Sequence, residues 1–235
     1  MNSIASVVIL FLFSALHSME RPAVTFEHVM ELNACDQQLY IEGSAGLRFV
    51  DNKPSQVTKF SLERNAPLGY GAALIAAIRT INPDIEIPVE YLQQNNTGKV
   101  PTHIITRKYS ICAFMNSTKK VGESHYSTNP DDITQGKLDL LLVNPKWHNN
   151  GIGTELFNYT MQCAQRVGIN VMTWYASPIT GLMKPPSEDL MQKLVRWYEK
   201  RGAHATGPTQ TFPVHGTPML MDLTKLPFVP ESSPQ

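Results

Sequence analysis

The chain has no excess of either charge. Among its 235 residues, 20 are Lys or Arg and 20 are Asp or Glu, giving a formal net charge of zero. A nucleic-acid binder is expected to carry a basic excess or stripe, so no nucleic-acid partner is expected, although the balance leaves room for a local basic patch facing a phosphorylated ligand. Cysteine is scarce: Cys35, Cys112 and Cys163 are far apart, odd in number and without a CxxC pair. No structural zinc site is expected from that spacing. The three are expected to be buried thiols acting as small apolar side chains, with one disulfide as the alternative. His204, His215 and Trp174 have no ligand spacing either, so no metal is assigned. Long apolar runs are missing, with one exception. Ile4–Leu16 is uncharged throughout, shorter than the ~20 residues that span a bilayer and of the length of a signal-peptide core. No Lys or Arg precedes it, and the residues before Ser18 are not a clean small-x-small pattern. Residues 1–18 are therefore read either as a signal peptide or hydrophobic anchor, or as a buried strand or helix of the globular domain.

What is present is core material. Apolar residues make up 42% of the chain and charged residues 17%, enough for one packed domain with an embellishment. Residues 23–50 are mixed, with helix-like stretches around Phe26–Leu39, and Asp51–Ser55 is expected to be a loop. Gly69–Thr80 is Ala-rich and reads as a mostly buried helix stopped by Asn82-Pro83. Gln93–Thr102 is polar and reads as a loop. From residue 104 the pattern turns to strands. Ile104–Met115 and Val121–Thr128, joined by the turn-like Asn116–Lys120, predict a hairpin, followed by a loop at Asn129–Gly136. Lys137–Val143 is a short apolar strand of the kind found in buried central positions. Gly151–Val167 has helical spacing at Ile152, Leu156, Tyr159, Cys163 and Ala164. Asn170–Ala176 is a strand, a helix runs from about Ser187 to Gly202, and Thr217–Leu223 is the last strand. The order β-β-β-α-β-α-β over this half predicts an α/β fold with a mixed, twisted central sheet flanked by helices. The tail, residues 225–235, is expected to be disordered. Asn-x-Ser/Thr triplets at Asn95, Asn116 and Asn158 are given no weight.

One turn stands out for its chemistry. The apolar strand leads through Asn144, Pro145, Lys146, Trp147, His148, Asn149 and Asn150 into Gly151-Ile152-Gly153, where a helix opens. A helix N-terminus has unpaired N–H groups and a partial positive charge that suit phosphate oxygens. Glycine at 151 and 153 lets a phosphate approach the backbone closely.

The stretch Val143-x-Pro145-x-x-His148-x-x-Gly151-x-Gly153 resembles the cofactor motif of the GNAT acetyltransferase superfamily, V-x-P-x-x-[R/Q]-x-x-G-x-[G/A]. Tyr198-Glu199-Lys200-Arg201-Gly202-Ala203 resembles that family's second signature, Y-E-K-x-G-F. The resemblance covers about residues 103–224, and residues 20–102 are read as the N-terminal part of the same domain, on the acceptor side. It implies a GNAT-like acyltransferase fold with acetyl-CoA, or another acyl-CoA, bound by Leu142, Val143, His148, Asn149, Asn150, Gly151, Ile152, Gly153 and Thr154. It departs at His148, where the family has Arg or Gln; at Asn149, commonly Gly; at Met191, where an Asn is common; and at Ala203, where an aromatic follows the Gly.

The activity implied is direct transfer of an acetyl group from a thioester to an amine. Such a reaction needs a base for the amine, a proton donor for the departing thiolate and an N–H donor for the developing oxyanion. On the resemblance, Tyr198 is the proton donor, and the backbone N–H of Val143 or Leu142, at the splayed end of the central strand, is the oxyanion donor. The base is Asp139 on the central strand, Glu123 on its neighbour (with His125 on the same face), or an ordered water chain. The partner is an amine-bearing small molecule or protein: a lysine, an N-terminus, a polyamine or another amine. The alternative is a catalytically degenerate copy of the fold that binds CoA or another protein. Location follows the N-terminus: exported or membrane-targeted if residues 1–18 are a signal, with membrane contact through residues 4–16 if they are retained, and cytoplasmic otherwise.

Overall fold

The computed structural model describes residues 23–35, 41–50, 53–66, 68–94, 104–178, 186–210 and 216–227. The apolar run at 4–16, Asn95, His215 and the tail from 228 lie outside them. The first strand, β1 (Val24–Cys35), buries His28, Met30, Leu32 and Ala34 at a period of two. The helix-like reading of Phe26–Leu39 is thus corrected: β1 pairs along its whole length with β4 (Ile104–Met115), and that ladder overrides local propensity. β2 (Ile41–Val50) and β3 (Lys53–Leu62) extend the sheet beyond β1. Lys53–Ser55, expected as loop, is the start of β3.

Helix α1 (Tyr70–Ile81) and a single helical turn, α2 (Val89–Leu92), lead to β4. β5 (Lys119–Thr128) follows a tight turn in which Asn116 and Ser117 have positive φ, and β6 (Gln135–Val143) pairs antiparallel with β5. Then come α3 (Ile152–Arg166), β7 (Val171–Ala176), α4 (Glu188–Glu199), the two-residue β8 (His204–Ala205) and β9 (Thr217–Asp222). Among the described residues the sheet has nine strands in the order β3-β2-β1-β4-β5-β6-β7-β9-β8. Among the described strands only β6 and β7 pair in parallel, as the α3 crossover between them requires. The sheet is mixed and flanked by helices, as the alternation of elements implied.

Cross-strand register decides which residues share a face, because directly opposed side chains point the same way. Ala34 opposes Gly43, His28 opposes Ile111, and Ile111 opposes Ser124. A Cβ on Gly43 would lie 3.2 Å from Leu74 of α1, while Ser124 bonds Thr160 of α3 at 2.6 Å. Helices α1 and α3 therefore pack on one face of the sheet. α4 joins them there through Tyr198, whose ring stands 5.1 Å from Trp174 of β7 and 5.4 Å from Phe157 of α3. The opposite face carries Glu27, Glu31, Glu123, His125, Ser127 and Asp139, and no described helix packs on it. The longer helix of the N-terminal part, α1, thus shares its face of the sheet with the turn and helix of the cofactor motif.

The core sits under the three helices. Phe157, Leu156, Ile152 and Met161 of α3 are all 1% exposed or less, two pairs at four-residue spacing on one helix face that burial alone would select. α4 is capped by Ser187, whose hydroxyl accepts from the Leu190 N–H, with Glu188 and Asp189 in its first turn. Met191 is buried, so the place where the family pattern has Asn is apolar packing here. The three cysteines are thiols. Among the described residues no helix is long and apolar enough to cross a membrane.

Candidate active site

The parallel pair β6–β7 is short. It runs from Gln135 opposite Val171 to Lys137 opposite Thr173 and stops there, although β6 continues to Val143 and β7 to Ala176. The separation begins at a bulge in β6. On the β5 side His125 opposes Leu140 and Tyr126 opposes Leu138, so Asp139 is the extra residue between them. A bulge bends its strand and increases local twist, which turns the end of β6 away from β7. The consequence is visible in burial. Leu140, Leu141, Leu142 and Val143 are consecutive apolar residues in the middle of a nine-stranded sheet, yet all four are only half-buried. The two strands bound an open, apolar wedge.

At the end of β6 the chain turns into α3. Asn144 accepts from the Lys146 N–H, and Pro145–Trp147 forms a 3-10 turn. Asn149 and Gly151 then take positive φ of 63° and 75°. Glycine suits the second of these positions, since an L side chain there meets the following carbonyl. The carbonyl of Gly151 accepts from the N–H groups of both Thr154 and Glu155. The N–H groups of Ile152 and Gly153 are left without an acceptor among the described residues. The Ile152 side chain is core, so only its backbone serves the turn. A Cβ at Gly153 would lie 3.6 Å from Val143 Cγ2 and 3.9 Å from Trp197 Cζ2, ordinary contacts that the protein itself would accept. Those two distances also place the start of α3 between the end of β6 and Trp197 of α4. Asn149 and Asn150 are exposed.

His148 is exposed, with its ring folded back onto the end of β6. Its Nε2–H donates to the Val143 carbonyl at 2.9 Å, so this nitrogen is engaged by the strand end. The cation beside the turn comes from elsewhere. Arg201, just past the end of α4, donates from Nη2 to Thr154 Oγ1 in the first turn of α3 and from Nη1 to the Trp197 carbonyl. Its guanidinium lies over the Trp197 ring at 3.7 Å, a cation–π contact. Sequence reading passed over Arg201 because it fills a variable position of the second signature; nothing in its spacing singles it out.

Tyr198 is buried among Phe157, Trp174 and Trp197 on the β7 side of the wedge. Its hydroxyl makes no hydrogen bond to a described residue. Burial pushes its pKa up to about 12, against a smaller downward pull from Arg201. Trp174 Nε1 is buried beside it without an acceptor among the described residues.

On the other face of the sheet the two candidate carboxylates are both engaged. Glu123 accepts from Lys120 Nζ at 2.7 Å and is 3.2 Å from His125 Nε2. The Lys120 bond is the main reason its carboxyl is held below the usual range, with His125 adding to it. Asp139, at the bulge, accepts from Ser127 Oγ at 2.9 Å and pairs with Lys137 at 3.1 Å. Through register, Glu123 stands opposite Leu142 and His125 opposite Leu140. The structure thus gathers Leu142, Val143, Gly151, Ile152, Gly153 and Thr154 at the mouth of the wedge, and places Tyr198 on one wall. Glu123 and Asp139 lie across the sheet from Tyr198.

No protein-family model matches the sequence, and no curated protein matches it. Solved structures do. An acetyltransferase of the GNAT family from Staphylococcus aureus Mu50 is 16% identical, with 66% of this chain and 93% of that one covered at a TM-score of 0.38. The ribosomal-protein-S18-alanine N-acetyltransferase from Escherichia coli is 13% identical, with 48% and 68% covered at 0.37. A GNAT-family acetyltransferase from Streptococcus pneumoniae is 18% identical, with 49% and 66% covered at 0.38. At such scores the superpositions decide nothing about chemistry.

Proposed function

We propose that this chain is an acyl-CoA-dependent N-acyltransferase of the GNAT type, transferring an acetyl or other acyl group to an amine. The observation that carries the reading is the wedge. A central parallel pair comes apart at a bulge, its apolar walls stay half-exposed, and it opens onto a helix N-terminus with unclaimed N–H groups and a neighbouring guanidinium. Apolar walls suit the pantetheine arm of CoA, and the Ile152 and Gly153 N–H groups suit its phosphates. Gly153 adds to the fit, since folding alone would accept a side chain at this place. When bound, acyl-CoA supplies the acyl group already activated as a thioester.

The remaining chemistry falls to side chains. With a pKa of about 12, Tyr198 holds its proton at neutral pH and offers a hydrogen to sulfur. A simple alkyl thiol such as cysteine ionises near ~8.5, so Tyr198 acts as a hydrogen-bond donor to a thiolate more than as a full acid. For the amine proton we assign the Glu123–His125 pair. Glu123, held by Lys120, is a poor base by itself. It orients the imidazole of His125 by accepting its Nε2–H, which leaves Nδ1 to take a proton. Asp139, tied to Ser127 and Lys137, shapes the bulge.

Calorimetric titration of the protein with acetyl-CoA tests the reading. Micromolar binding, abolished by Gly153→Asp, is expected, because a carboxylate there would face the phosphates. If the unaltered protein binds no acyl-CoA, the proposal is wrong.

A further inference from the structure

His148 leaves a question of charge. A cofactor with several phosphates needs a cation near the α3 N-terminus, and the imidazole at the family's Arg or Gln position is turned onto the Val143 carbonyl. Among the described residues Lys119 lies over Trp147 at 5.0 Å, and Arg201 is the basic group whose side chain hydrogen-bonds the first turn of α3 itself. It is half-buried, and no ion pair joins it to a carboxylate among the described residues. A guanidinium has five N–H donors. Two are used here, on the neutral oxygens of Thr154 and Trp197, and Nε is buried without an acceptor among the described residues. Desolvation destabilises a charge that lacks a counter-ion, and burial does hold this guanidinium below its usual pKa. The stack on Trp197 fixes the plane of the group, and the Thr154 bond fixes it against the first turn of α3. The arrangement is a rigid cation, short of an anion, beside two unclaimed backbone N–H groups.

We propose that Arg201 is the phosphate-binding cation of the acyl-CoA site, reaching the α3 N-terminus from the end of α4 and taking the part that His148 does not. The inference rests on the acyl-CoA reading above. The phosphate is either the pyrophosphate or the 3′-phosphate of CoA, which share the same chemistry toward a guanidinium. The test is calorimetric titration of the unaltered protein, Arg201→Gln and Arg201→Lys with acetyl-CoA, acetyl-3′-dephospho-CoA and S-acetylpantetheine. Losing a charge-assisted bond is expected to weaken acetyl-CoA binding by about 10- to 100-fold in Arg201→Gln, and less in Arg201→Lys, which keeps the charge without the planar fork. S-Acetylpantetheine, which lacks both phosphate groups, is expected to bind all three proteins alike. If the loss persists with the dephospho compound, the contact is to the pyrophosphate; if it disappears, the contact is to the 3′-phosphate. Unchanged acetyl-CoA binding by Arg201→Gln would overturn the proposal. So would an equal loss for S-acetylpantetheine, which would mean that Arg201 merely ties α4 to α3. Absence of acetyl-CoA binding by the unaltered protein would instead remove the acyl-CoA reading itself, and this inference with it.

Discussion

Gly151 and Gly153 are two residues apart, and the structure assigns them opposite responses to the same substitution. Gly151 sits at φ 75°. An L residue in that left-handed region costs about 1–2 kcal/mol, partly offset by about 0.4–1 kcal/mol from a stiffer unfolded chain. Gly151→Ala is therefore expected to lose about 1 kcal/mol. Gly153 lies inside α3, its added methyl would rest 3.6 Å from Val143 and 3.9 Å from Trp197, and alanine is the better helix former. Gly153→Ala is expected to gain about 0.5 kcal/mol, the modest figure reflecting its place in the first turn. Urea unfolding of the two variants beside the parent, at constant m-value, reads the difference as opposite shifts of the midpoint. Thermal melts should separate the variants by roughly 3–6 °C for a chain of this length. Acetyl-CoA titration supplies the functional half: both variants should bind more weakly, Gly151→Ala by moving the turn's N–H groups and Gly153→Ala by putting a methyl where a phosphate approaches the backbone. If the two urea midpoints shift the same way by similar amounts, or if Gly153→Ala loses more than 1 kcal/mol of stability, the conformational account of this turn is refuted.

Tyr198→Phe is expected to lower kcat about 10²- to 10⁴-fold with little change in stability, because the hydroxyl bonds no described residue; an unaffected rate in steady-state assays would exclude it as the donor. In the same assay His125→Gln should lower kcat about 10²-fold or more, whereas an unchanged rate would remove the imidazole as base. His28 gives a pH-dependent stability. Desolvation by burial, with a lesser push from Arg166, holds its pKa down to about 4 against 6.5 for an ordinary imidazole. The unfolded chain therefore binds the extra proton first as pH falls, so stability is lost between about pH 6.5 and 4, by about 3 kcal/mol in all. Urea midpoints for the parent and His28→Phe across that range should converge toward acid, and parallel curves would show that His28 is not the group responsible.

Much of this protein was legible in its residues alone. The order of strands and helices from Ile104 onward follows from period and punctuation, since Gly, Pro and Ser187 mark ends that backbone chemistry dictates. The Gly151–Gly153 turn could be found because the demand for backbone space is local. Other features depend on contacts between distant segments. Phe26–Cys35 has mixed propensity, and only twelve-residue pairing with β4 makes it a strand. The opening of β6 from β7 comes from one bulge residue, Asp139, whose identity as a bulge exists only relative to the register of β5. The family resemblance offered His148 to a phosphate, and the Val143 carbonyl claims it. Arg201 fills a variable place in the second signature, and packing against Trp197 and Thr154 makes it a cation short of a counter-ion. Sequence determines what each residue can donate, accept or bury along its own element. Tertiary structure decides which of those capacities are already used up, because that depends on neighbours that the chain order does not name.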